Sequence, residues 1–404
     1  MKRASLMAVG VLVILILILA LTPSGPQKIP RYLPGRKPPV GRHTSADYNY
    51  NWINQRPFVN DQIWVSGFRD RTNFFLFCYD LRERMIVGEL ENVDPVVLVN
   101  RDGTKLLCWG PASATLSLRR AAANLLQRIS GGKLGASLNP VESLWVLDTR
   151  NDSAKPVGLI SQSAGAGSRW YGSPHLRFGC TRPTAEPALV LFDFESEQLT
   201  RLPINGRIIG WWDDQNILLK DANNNFTLYD VVKHQTNTLV TLQQIERALA
   251  PLQLINQART VEGFANWNGR EFDFYVAEKE YEFKAKQTFL FKIERTAPTA
   301  SLKLITPDFQ FKWLGHLNAS ATQYLYPGEP GAPGARGNGA VFLRNLSDNS
   351  LRTIVPPDNK GQYAISRFYG NEVIYNRHRT LWRIGLDGSN NAALFPTNSA
   401  AAEP

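Results

Sequence analysis

From residue 46 onward the chain returns to one hydrophobic and polar phrase: a short apolar run with an aromatic, a polar turn, then a second short apolar run. It appears as Phe74–Asp80 with Met85–Leu90, Leu144–Asp148 with Val157–Ile160, and Leu189–Asp193 with Leu199–Leu202. Phe226–Asp230 pairs with Thr238–Leu242, Phe289–Lys292 with Leu302–Ile305, Val341–Arg344 with Leu351–Val355, and Leu381–Ile384 with Ala393–Phe395. Runs this short, bounded by turn residues, predict β-strands. A second phrase lies between copies: two strands around a Gly, Asn or Asp turn. Val96–Trp109, Ile208–Leu219, Phe264–Phe274 and Ile365–Tyr375 carry it. Asp-Gly, Asn-Gly and Gly-Asn between apolar runs predict hairpins, because tight turns need residues that tolerate positive φ.

The two phrases make a four-strand unit of about 50 residues. Seven copies of the first phrase over 46–396 predict an all-β β-propeller of seven four-stranded blades. No such sheet can bury both its faces alone, so the units must stack, and radial stacking leaves only short edges. A β-sandwich explains short strands but not a four-strand unit recurring in register. With strands lettered a to d from the axis outward, the first phrase is c–d and the second a–b. The long connections then fall at 110–142, 277–287 and 327–339 (b to c) and at 161–168 and 243–259 (d to a). In an up-and-down sheet both kinds open on one face, and insertions gathered on one face of a repeat array mark a binding side. Within 110–142, Leu118, Ala122, Leu125 and Ile129 fall at helical spacing, so a short amphipathic helix ending at Gly131-Gly132 is expected there. The Gly- and Pro-rich 327–339 reads as a loop.

The segments Leu381-Trp-Arg-Ile-Gly-Leu-Asp-Gly388, Leu144–Asp148 and Asn100-Arg-Asp-Gly-Thr-Lys-Leu-Leu107 resemble the WD40-like repeats of TolB-type propellers. The likeness covers most of 46–396 and is degenerate: Asn-Arg-Asp-Gly stands where the family has Ser-Pro-Asp-Gly. It implies the propeller fold and says little of activity. Similar propellers precede the catalytic domain of prolyl oligopeptidases, but with the last strand pair this near the end of the sequence no such domain is expected here.

Charge changes the picture once it is located. The formal net charge is +10, but residues 1–45 hold seven basic and no acidic residues, which leaves only +3 for the rest. A nearly neutral body argues against a nucleic-acid partner. Leu6–Leu21 is an unbroken apolar run behind a short basic start at residues 1–5, and reads as an N-terminal hydrophobic helix, a signal-anchor. Residues 22–45 read as a Pro-rich basic linker and 397–404 as a disordered tail. A membrane-anchored, extracytoplasmic location (periplasm or cell surface) is the expectation, with a cleaved and secreted form as the alternative. Cys78, Cys108 and Cys180 show no C-x-x-C spacing and are expected as small buried hydrophobes.

No nucleophile elbow, zinc-helix or phosphate-loop motif occurs, and the five histidines are isolated in sequence. No cofactor, metal site or catalytic residue is therefore expected. Asp221-Ala-Asn-Asn-Asn225 opens like a calcium loop but lacks the Gly and the closing acid, and Asp213-Asp214 reads as hairpin punctuation. Asn151, Asn225, Asn318 and Asn345 begin N-x-[ST] sequons. At the ends of b strands, on the face with the long connections, stand Arg182, Asp221, Glu278, Tyr326 and Arg377-His378-Arg379, with Trp170 beginning an inner strand beside them. An aromatic, basic groups and a carboxylate there suit an acidic peptide or sugar. The expected function is a non-catalytic module binding a protein or cell-envelope ligand. The alternative is a hydrolase or lyase with its site at the central mouth.

Overall fold

The computed structural model describes residues 29–35, 51–52, 61–69, 73–91, 93, 96–110, 141–161, 170–183, 188–250, 259–265, 271–280, 284–296, 299–306, 315–318, 320, 322–328, 337–358, 365–377 and 380–395. They form one five-stranded and six four-stranded antiparallel sheets. Sheet 1 holds Asn51–Trp52, Gln62–Arg69, Asn73–Asp80 and Met85–Glu91, with Arg31–Pro34 added beyond the last. Sheet 2 is Val96–Val99, Lys105–Trp109, Val141–Asp148 and Ser153–Ser161; sheet 3 is Tyr171–Gly172, Phe178–Thr181, Leu189–Asp193 and Gln198–Leu202. Sheet 4 is Arg207–Trp211, Asn216–Lys220, Phe226–Asp230 and Gln235–Val240; sheet 5 is Arg259–Ala265, Glu271–Glu280, Lys284–Thr296 and Thr299–Thr306. Sheet 6 is His316–Leu317, Gln323–Pro327, Val341–Asn345 and Leu351–Val355; sheet 7 is Ile365–Tyr369, Glu372–Arg377, Thr380–Gly385 and Ala392–Phe395. The strands of sheets 2 to 7 are a, b, c and d in chain order, and the same letters serve the four strands of sheet 1 from Asn51 on.

The strands are apolar on both faces where a sheet is sandwiched between two others, as sheets 1 to 3 show. In strand c of sheet 1, Leu76 and Cys78 pack with sheet 2, while Phe77 and Tyr79 pack with sheet 7. In strand b of sheet 2, Leu106 and Cys108 face sheet 1 and Leu107 and Trp109 face sheet 3. Strand c of sheet 3 divides its side chains the same way, Val190 and Phe192 toward sheet 2 and Leu189 and Leu191 toward sheet 4. This is the period of two applied to a sheet with two buried faces. The a strands of sheets 3, 4 and 5 lie against one another, so the first strands converge on the axis. Sheet 7 packs on sheet 1 through Ile374, Leu381 and Leu394, which closes the ring as a β-propeller.

The expectation of seven four-stranded blades is corrected: six sheets have four strands, and the sheet at the amino end has five. The added strand comes from the stretch read as a linker. Tyr32 lies over Gly88, where any Cβ would strike its ring, and Arg31 and the Tyr32 N–H both bind Asp152 of sheet 2, at 3.0 and 2.8 Å. The segment 277–287, expected as a connection, is mostly strand, since Glu271–Glu280 and Lys284–Thr296 run through all of it but 281–283, which lie outside the described residues. Helix α1, Leu242–Leu249, was not expected; Thr241 caps it and Gln244 returns the bond, a reciprocal capping box. The expected helix near 116–129, the apolar run 6–21 and the tail 397–404 lie outside the described residues. Among the described residues no helix is long and apolar enough to cross a membrane.

Candidate functional site

The two ends of the strands differ. On one face the c–d turns, and the a–b turns apart from 53–61 of sheet 1, are short, and in sheets 1–4, 6 and 7 the two are locked to each other. Asp80, Asp148, Asp193 and Asp230 end strand c and each accepts a backbone N–H two residues on. The following residue then donates its own N–H to the neighbouring a–b turn: Leu81 to Asp61, Thr149 to Thr104, Phe194 to Arg177 and Val231 to Gln215, all at 2.8–2.9 Å. Leu346 and Leu386 repeat the contact in sheets 6 and 7. Polar pairs tie neighbouring sheets here too, Lys105 to Glu197 at 2.7 Å and His175 to Asp214. Asp213 and Asp214 belong to this turn face. Asp213 accepts from the Gln215 and Asn216 backbones, and burial raises Asp214 but hydrogen bonds from His175 and Ser173 outweigh it and hold the carboxyl low.

On the opposite face the b-to-c and d-to-a connections open, and the proposed residues distribute among three kinds of environment. Trp170 is buried, with Leu98 and Val190 between sheets 2 and 3. Arg377 bridges sheets 6 and 7, its Nε 2.7 Å from Asp358 and its Nη1 3.1 Å from the Pro356 carbonyl. Tyr326 stacks on Tyr324 at 5.3 Å and leans on Phe342 at 5.6 Å. Asp221 accepts from the backbones of Asn223 and Asn225 and from Asn225 Nδ2 at 2.8–2.9 Å; burial raises it, and these bonds overcome that and leave it below the ordinary carboxylate range. Glu278 stands opposite Arg259 in the register of sheet 5, whose backbone alone is described. His378 and Arg379 lie outside the described residues.

Arg182 is half-buried at the end of strand b in sheet 3, and its Nη2 donates to the Ile204 carbonyl on the path to sheet 4. Burial lowers its pKa. Arg207 and Lys220 pair across strands a and b of sheet 4. Between the innermost strands of sheets 6 and 7, the Arg367 guanidinium meets His316 Nε2. Among the described residues no group of three His, Cys, Asp or Glu is placed to hold a metal ion.

No protein-family profile and no curated protein matches the chain. Solved structures do. An oligogalacturonate lyase in complex with manganese is 9% identical over 88% of this chain and 95% of its own, with a TM-score of 0.51. The β-propeller domain of the trilobed protease from Pyrococcus furiosus is 11% identical over 88% and 99%, with a TM-score of 0.50. TolB from Acinetobacter baumannii is 15% identical over 87% and 82%, with a TM-score of 0.35. At such identities likeness speaks for architecture and not for activity. The chain folds as a β-propeller, consistent with the TolB-type, WD40-like repeat.

Proposed function

We propose that this propeller is a non-catalytic binding module of the cell envelope, meeting a protein or envelope ligand on the face where the long connections open. The contrast between the two faces carries the reading: short turns stitched to one another by backbone hydrogen bonds on one side, long connections on the other. A face of variable connections on a rigid ring is the usual place for recognition. The tether belongs to this proposal and rests on the apolar run 6–21 alone, as does the extracytoplasmic address. The test is affinity capture of partners from envelope extracts with the full chain, followed by hydrogen-exchange mapping of the complex. Protection is expected at 204–207, 220–225 and 242–250. Protection confined to the turns 82–84, 150–152 and 231–234 would overturn the choice of face.

One observation favours a second reading, a hydrolase or lyase at the central mouth. The His316–Arg367 contact puts a group able to move a proton beside a fixed cation on the innermost strands. Turnover of oligogalacturonate with added manganese, lost in His316→Ala, would establish it; no turnover with either protein would retire it.

A further inference from the structure

Sheets 3 and 4 are joined on the connection face by residues 203–206, and this join ends in Asn205-Gly206. An asparagine followed by glycine sets a side-chain amide carbon beside the next backbone nitrogen, which no Cβ shields. Whether the two react depends on how firmly the fold holds them. The flanking residues are held: the Ile204 N–H donates to the Leu202 carbonyl at 2.8 Å, its carbonyl accepts from Arg182, and Arg207 enters the ladder with Lys220. Asn205 is exposed, and among the described residues no hydrogen bond holds its side chain or the Gly206 N–H. Gly206 sits at φ 119°, where a Cβ would come 3.0 Å from the Lys220 carbonyl oxygen, so the position needs its glycine. The comparable pairs are clamped. Asn338 accepts from the Ala340 N–H at 3.0 Å, its carbonyl accepts from the Asp358 N–H at 2.9 Å, and Gly339 is buried. In the turns Asp102-Gly103 and Asp387-Gly388 each glycine N–H is spent on a carbonyl, that of Asn100 or Gly385. Each of those carboxylates also accepts from the N–H and the hydroxyl of the residue two places on, Thr104 or Ser389. Asn268-Gly269 lies outside the described residues.

We propose that Asn205-Gly206 is a self-modification site, at which the join between sheets 3 and 4 loses an amide and gains a carboxylate without any enzyme. The Gly206 nitrogen, its proton passed to hydroxide, bonds to Asn205 Cγ; the Cγ–Nδ2 bond breaks, and Nδ2 takes a proton from water and leaves as ammonia. Water then opens the cyclic imide. Breaking the bond from nitrogen to Cγ leaves aspartate. Breaking the bond from nitrogen to the Asn205 main-chain carbonyl carbon leaves isoaspartate, with the chain rerouted through Cγ and longer by a methylene. Either product adds a negative charge to the connection face, a change that alters the local electrostatics as other charge-changing modifications do. The chemistry needs no ligand, so it is independent of which face meets a partner. The fold makes the selection, because Asn205-Gly206 and Asn338-Gly339 carry the same reacting groups in the unfolded chain.

The experiment is peptide mapping by mass spectrometry of the full chain after incubation at mildly alkaline pH in water enriched in heavy oxygen, with the same chain in urea beside it. Trypsin releases the two pairs as Leu202–Arg207 and Gly337–Arg344. In the folded protein the first peptide is expected to lose its amide about tenfold faster than the second, a barrier lower by about 1.4 kcal/mol. Its product should carry heavy oxygen, which dates the change to the incubation and not to the digestion, and should contain isoaspartate. In urea the gap between the two peptides should close. Asn205→Gln, which would have to form a larger ring, should keep its amide and melt with the parent protein. Equal rates at the two peptides in the folded protein, or faster loss at Asn338, overturns the proposal. Aspartate without isoaspartate overturns it as well, since direct hydrolysis of the amide gives that product alone.

Discussion

Gly179 and Gly88 show how little slack single residues have between sheets. A Cβ on Gly179 would strike Leu98 and touch the Trp170 ring, both fully enclosed in the interface of sheets 2 and 3. Gly179→Ala should therefore destabilise the fold by about 1–3 kcal/mol, read as a lower midpoint in urea with an unchanged slope. The opposite sign is expected at Arg84, held at φ 53° in the turn between strands c and d of sheet 1. Arg84→Gly removes a left-handed strain of about 1–2 kcal/mol that exceeds the ~0.5–1 kcal/mol cost of glycine's added freedom in the unfolded chain, so it should raise stability by about 0.5–1 kcal/mol. Titration gives a further residue-scale expectation. Hydrogen bonds from the Arg150 side chain lead in lowering Asp148, the Lys233 backbone leads for Asp230, and the Lys105 ammonium leads for Glu197. A carboxyl whose folded pKa lies below its unfolded value lends stability above the unfolded value, and loses it as pH falls through the folded one. Urea midpoints should hold from pH 7 to about 5 and drop below about pH 4. Burial raises Cys108 to about 12 and raises Cys78 further, so neither thiol should react with a disulfide reagent at pH 8 until the protein unfolds.

At the scale of elements, the strand Arg31–Pro34 behaves as a strap across the boundary of sheets 1 and 2. Beyond its ladder with Met85–Glu91, it is anchored by Asp152, the notch over Gly88, the Trp64 edge that Tyr32 meets at 6.3 Å, and the Val87 carbonyl that takes the Gly35 N–H. Asp152→Ala removes both the Arg31 and Tyr32 bonds. Amide exchange in Met85–Glu91 should then accelerate while strands of sheet 4 stay protected; uniform loss across both would mean the strap is not a separate unit. Helix α1 teaches a related lesson. Thr241 and Gln244 form a reciprocal box that was visible as T-x-x-Q, yet a helix of eight residues is too brief to stand out by periodicity. The hairpin phrases were legible because they are local. An Asp at the end of strand c bonds two residues ahead, whatever the remote chain does.

For the whole molecule, the first and last sheets share no strand among the described residues, and side chains join them. Phe77 meets Phe395 at 4.9 Å, and the Tyr79 hydroxyl donates to the Leu394 carbonyl at 3.1 Å. Tyr369 donates to Asp61 at 2.8 Å across the same seam. Phe77→Ala should cost about 3–5 kcal/mol and speed exchange in sheets 1 and 7 before sheets 3 and 4. An even response around the ring would show that the seam is no weaker than the other joints.

The seven c–d strand pairs, four of the a–b hairpins and their stacking as a propeller were decided by the sequence, since alternation and turn chemistry act over a few residues. Only the tertiary structure decided that Arg31–Pro34 becomes a strand, that Trp170 belongs to the core, and that Arg377 spends itself on Asp358. It also brought Arg182 to the Ile204 carbonyl. Those outcomes depend on which distant surfaces meet when two-faced sheets are pressed together, and no local pattern encodes the partner.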